Sequence, residues 1–140
     1  MRKLIAGLAI AGLVALSGCH NTSSTGGGPA AGGGTFKLEG PKMTTDVKQG
    51  ETKDIAITVD RSKTFTEDVT LSVDYPKDKN FTVTADPATL KNSENAPLHL
   101  KVTAKDDAAL GTYDVKVTGK PAKGSVTLNP VTVPIKIVKK

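Results

Sequence analysis

The sequence predicts an all-β domain over residues 35–140, an antiparallel β-sandwich of about seven to nine strands. Three observations predict it. Apolar and polar residues alternate in run after run, clusters of turn-forming residues separate the runs, and no stretch of the domain has helical periodicity.

The runs follow in order. In KDIAITVD, Ile55, Ile57 and Val59 share one face, with Asp54, Ala56, Thr58 and Asp60 opposite. DVTLSVDY aligns Val69, Leu71 and Val73, and a shorter run carries Phe81 and Val83. PLHLKVTA puts Leu98, Leu100 and Val102 on one side and His99, Lys101 and Thr103 on the other. TYDVKVTG aligns Tyr113, Val115 and Val117. Val126 and Leu128 open a further strand, and Val131, Val133, Ile135 and Ile137 close the chain. Valine and threonine are abundant, as pleated strands favour. Breakers fall between the runs, at Gly40-Pro41, Gln49-Gly50, Tyr75-Pro76, Asp86-Pro87, Ala96-Pro97, Gly111 and Gly119 to Gly124. Apolar positions are even at 126 and 128 but odd from 131 onward. A strand cannot change faces without an extra residue, so a bulge or sheet switch is expected at Asn129-Pro130. Pro134 lacks an N–H, which predicts that the last strand lies at an edge or has one open side.

Ahead of the domain stand two segments of other character. Arg2 and Lys3 make a positive start, Leu4 to Leu16 contains only Leu, Ile, Val, Ala and Gly, and Ser17 and Gly18 precede Cys19, the single cysteine. That order is the pattern of a secretory signal peptide. Its apolar run falls short of the ~20 residues that span a bilayer as a helix. Residues 1–18 are therefore expected to be a cleaved leader. Residues 20–34, HNTSSTGGGPAAGGG, hold no aliphatic larger than alanine and should form a flexible tether, on the order of 20 Å as a coil.

Leu16-Ser17-Gly18-Cys19 resembles the lipobox of bacterial lipoproteins, with an aliphatic residue three before an obligatory cysteine. The resemblance implies cleavage between Gly18 and Cys19 and lipidation of the Cys19 thiol. The partner so implied is membrane lipid held through Cys19, since two or three acyl chains anchor stably where one binds reversibly. The next residue is His20, not the Asp that typically retains lipoproteins at the inner membrane. In a cell with two membranes the resemblance therefore favours the outer one.

AALGTYDVKV resembles the penultimate-strand signature of immunoglobulin-like domains. Tyr113 fits the tyrosine-corner position and Val115 stands where the disulfide cysteine would be. Position 109 is Ala instead of the acidic residue of the motif, and the chain has no Trp. The likeness is thus to the cysteine-free immunoglobulin-like modules of bacterial secreted proteins. It implies an immunoglobulin-like sandwich and carries little about function.

Chemistry is sparse. Without Arg2 and Lys3 the chain keeps 17 Lys+Arg against 14 Asp+Glu, scattered as in VDRSKTFTEDV, so nucleic acid is not expected as a partner. A catalytic triad needs a histidine beside its nucleophile; His20 lies in the tether and His99 should point to solvent from a strand. Ser125 lacks a G-x-S-x-G setting. No enzyme, cofactor or metal site is expected: acids at Asp74 to Asn80 and Asp106-Asp107 read as solvated turn residues, with calcium the alternative. Phe65 and Tyr75 are the candidate exposed platforms for a carbohydrate-binding module, and Arg61, the only arginine after the leader, could meet an anion or serve structurally. The function expected is a non-catalytic binding or structural module of the cell envelope, lipid-anchored, whose partner is an envelope protein or polysaccharide.

Overall fold

The computed structural model describes residues 25–29, 34–93, 96–123 and 128–140. The leader, Cys19, His20, Ser125 and Val126 lie outside the described residues. Among the described residues ten strands form: β1 (Thr25–Pro29), β2 (Thr35–Glu39), β3 (Thr45–Lys48), β4 (Thr52–Arg61), β5 (Val69–Asp74), β6 (Phe81–Asp86), β7 (Thr89–Leu90), β8 (Leu98–Ala104), β9 (Gly111–Pro121) and β10 (Val131–Val138). The only helical element among the described residues is a single 3-10 turn, Lys77–Lys79. Two five-stranded sheets result, in the orders β1-β2-β4-β8-β6 and β3-β10-β9-β5-β7.

The expected alternation is what brings the sheets together. Ile55 and Ile57, Phe81 and Val83, and Leu98, Leu100 and Val102 point inward from the first sheet. Val69 and Leu71, Val115 and Val117, and Val131, Val133, Ile135 and Ile137 answer from the second. Each fully buried Val, Leu or Ile contributes roughly 1.5–3 kcal/mol. The residues between them, such as Thr82, Thr84, Lys101 and Lys116, are exposed. Val59, Val73 and Tyr113 are only partly buried, because they sit near strand ends where the opposing sheet stops.

Three short pieces take the strand number past the expected range. The first edge is split in two: β2 pairs with β4 in one sheet, the chain crosses at Gly40 to Thr44, and β3 joins the other. β7 has two residues. β1 falls within the stretch expected to be a tether, yet its backbone runs antiparallel along β2 from Thr25↔Glu39 to Pro29↔Thr35. Composition argued against a segment that could bury side chains; strand pairing needs only N–H and C=O groups, which glycine has. One pairing is parallel, β3 with β10.

The change of face near Asn129 is met. Leu128 and Val131 are both buried, with exposed Asn129 and Pro130 between them. The Leu128 N–H donates to Gly119 O at 2.9 Å, while Val131 pairs with Val117. The chain thus advances three residues where β9 advances two, which is one extra residue. Pro134 fits as well. β3 pairs with β10 only from Ile135 onward, so none of the described strands is paired with the outer side of β10 at Pro134.

Burial that is confined to one face gives a direct check. Leu100→Ala should cost about 2–5 kcal/mol in urea unfolding, while Thr84→Ala on the outer face should stay within about 0.5 kcal/mol. Equal costs would contradict the assignment of faces.

Candidate functional site

Arg61 ends β4 at the end of the sandwich where β2 begins. Its guanidinium lies over two rings, 5.5 Å from the centroid of Phe36 and 5.8 Å from that of Phe65. The rings themselves are 5.3 Å apart. The Nη1 and Nη2 groups donate to the carbonyls of Lys91 and Leu90, both at 3.1 Å. Partial burial lowers the Arg61 pKa from its ordinary value, and the nearby Asp68 carboxylate opposes that shift. Arginine remains charged throughout. Arg61 therefore clamps β4 of one sheet to the end of β7 in the other, with its fork committed to backbone carbonyls. Of the two roles open to it, the structure assigns the structural one.

Beside it runs an open groove of about 520 Å³, walled by Val59, Asp60, Arg61, Leu90 and Pro97. Among the described residues its ionisable groups are Asp60 and Arg61, and no histidine, serine or cysteine lines it. The same end holds two carboxylates that sequence reading passed over. Buried Glu67 accepts from the Lys123 N–H at 3.0 Å, and Asp68 accepts from the Asn92 N–H at 2.7 Å. Both tie loops to the start of β5. The signal was present in TEDV, where two acids directly precede a strand, but nothing in the sequence says which loops they reach.

At the opposite end, the Tyr113 hydroxyl donates to Ala109 O at 3.0 Å, with Leu110 O at 3.4 Å. Gly111 makes this corner possible: its φ is +146°, and a Cβ there would sit 3.4 Å from the Tyr113 hydroxyl. Gly50, with φ +76°, turns β3 into β4 and places its N–H on Ala104 O. Two acids of this end have close partners, while Asp106 is exposed and 4.0 Å from Lys140. Asp107 accepts from Asn80 Nδ2 at 3.0 Å, and Asp78 meets Lys79 at 2.6 Å. That contact lowers the Asp78 pKa and raises that of Lys79. Among the described residues no three His, Cys, Asp or Glu side chains gather as a metal site would require.

The remaining candidates separate. His99 is half-buried on the outer face of β8, between Ala56 of β4 and Asp86 of β6. Phe65 is 4 % exposed, packed beneath Arg61. Tyr75 is half-buried and stacks on Phe81 at 5.5 Å, which in turn meets Tyr113 at 5.1 Å. The two rings proposed as carbohydrate platforms thus belong to packed clusters at opposite ends of the domain. Alternation could not reveal this, because both rings lie outside the regular strands.

No family model matches the chain, and no curated protein does. Solved structures do. Domains 4 and 5 of the S-layer protein SbsC align with a TM-score of 0.50 at 17% identity, over 72% of this chain and 50% of that one. A longer piece of surface layer protein SbsC, domains 4-9, aligns at 0.49 and 15% identity, over 77% of this chain and 18% of that one. The chain therefore spans about half the length of the shorter S-layer structure it matches. At this identity the likeness is one of fold: an all-β sandwich similar to S-layer domains.

Two measurements check the end clusters. Arg61→Met should cost on the order of 1–3 kcal/mol in urea unfolding, with Arg61→Lys recovering only part because it lacks the fork; full stability of Arg61→Met would remove the clamp. By NMR, Asp78 should titrate below an ordinary aspartate and move up in Lys79→Ala. The sign follows from a folded pKa below the unfolded one: the contribution is present at neutral pH and is lost as pH falls through the folded pKa. It should be small, because the pair is in solvent.

Proposed function

We propose that this chain is a bacterial lipoprotein, a non-catalytic immunoglobulin-like module held at the envelope by lipid on Cys19 and used for binding or structural display. The observation that carries this reading is the order of parts. A leader with four fitting lipobox positions meets a glycine-rich stretch, which meets a disulfide-free sandwich. The immunoglobulin-like assignment is supported by strand order. β2-β4-β8-β6 against β10-β9-β5 has the A-B-E-D and G-F-C arrangement of such domains, and Tyr113 bonds back to Ala109 as a tyrosine corner does. Similarity to S-layer domains agrees with a place on the cell surface. The non-catalytic reading is supported by a groove whose described lining brings no histidine, serine or cysteine to Thr58 and Asp60, and whose arginine is already engaged. Carbohydrate binding is the weaker reading, since Phe65 is buried.

In a cell with two membranes, His20 after the lipidated cysteine favours delivery to the outer membrane. The partner would be an envelope protein or polysaccharide met by the domain, with membrane lipid held at Cys19.

Mass analysis of the mature protein from its own cells should show a chain that begins at Cys19 and carries acyl mass. Cys19→Ser should move the protein from the membrane to the soluble fraction. A bare thiol at Cys19, or a different first residue, would sink the anchor. Crosslinkers placed at Leu110, exposed at the end far from β1, should capture an envelope component in intact cells.

A further inference from the structure

An unpaired sheet edge is a template for a foreign strand, and proteins guard such edges. β3 and β7 are guarded by being four and two residues long. β6 offers six residues, and none of the described strands is seated on its outer side. β2 is different, because Thr25–Pro29 lies along its whole length. The middle of that guard is Gly26, Gly27 and Gly28.

The register shows what such a guard leaves out. Directly opposed residues of an antiparallel pair share a face. Gly26 stands opposite Leu38 and Gly28 opposite Phe36, both fully buried, while Gly27 stands opposite exposed Lys37. A strand with side chains at the first and third of these positions would place them on the core side, beside Phe36 and Leu38. At either place the chain's own strand, being glycine, offers no side chain to the core, and its backbone lies against β9 and β10 of the facing sheet.

We propose that the outer edge of β2 is a strand-docking site, that Thr25–Pro29 is its placeholder, and that its partner is an extended segment of an envelope protein with apolar residues at two alternate positions. This deepens the binding-module reading and rests on it. Glycine loses more conformational freedom on ordering than any other residue, and a glycine strand specifies its register weakly. A strand of β-branched residues loses less and adds cross-strand pairs, so it can displace the placeholder. The placeholder, tied to β2 by a short connection, acts at high effective concentration and turns away strands that lack the matching pattern.

The test uses the full chain in detergent micelles and two labelled synthetic peptides. Each carries the Thr25–Pro29 segment with flanking residues, one with valine in place of the first and third glycines and one unchanged. The valine peptide should bind at least about tenfold more tightly than the glycine peptide, and NMR should map it to Thr35–Glu39. Gly26→Pro with Gly28→Pro removes placeholder donors and should raise peptide affinity by about tenfold. Gly26→Val with Gly28→Val should strengthen the guard and abolish binding. Failure of the valine peptide to bind both the wild type and the proline variant, or its mapping to β6, would overturn the proposal. If the valine variant does not fold, the proline variant decides alone. A partner crosslinked through another surface would leave the display reading standing while the β2 edge fails. Peptide binding to a chain that proves unlipidated would do the reverse.

Discussion

Burial of one face of every long strand is the constraint on which this molecule depends. No disulfide can staple the domain, because the only cysteine precedes it. What opposes unfolding is therefore a layer of Val, Leu, Ile and Phe drawn from both sheets, with little margin for a misplaced residue. The face change at Asn129 follows from this constraint. A regular strand from Leu128 to Val131 would have turned one of two apolar residues out to water, and one extra residue spares both.

The ends of the sandwich obey a different rule. There the strands stop, and loops are held by polar groups aimed at backbone atoms: Arg61 on Leu90 and Lys91, Glu67 on Lys123, Asp68 on Asn92, Tyr113 on Ala109. These groups are spent on architecture.

How much of this was legible in the sequence depended on whether a residue's role was local. Period-two alternation located β4, β5, β6, β8, β9 and β10, and parity located the bulge, because both depend on neighbours in the chain. The corner role of Tyr113 was legible only through the resemblance of AALGTYDVKV to immunoglobulin-like domains, and its hydroxyl meets Ala109 O four residues back. β3 and β7 were not, being too short to show a period. β1 was hidden for another reason: its pairing uses backbone groups that every non-proline residue has. Arg61 and Phe65 read equally well as ligand-facing or structural until distant segments were brought together. Leu90 and Lys91 lie about thirty residues from Arg61 in sequence, a separation over which spacing carries no signal.

The parallel contact between β3 and β10 sets how the domain would carry mechanical load. β3 enters from the end where β2 begins, and β10 leaves at the other, with Ile135↔Thr45 through Val138↔Lys48 aligned side by side. Tension between the chain ahead of β3 and Lys140 pulls these neighbours in opposite directions along their length. Their hydrogen bonds then share the force and must yield together, whereas a hairpin pulled apart from one end loses its bonds singly. A module built this way can transmit a pull between its two ends while the core stays closed.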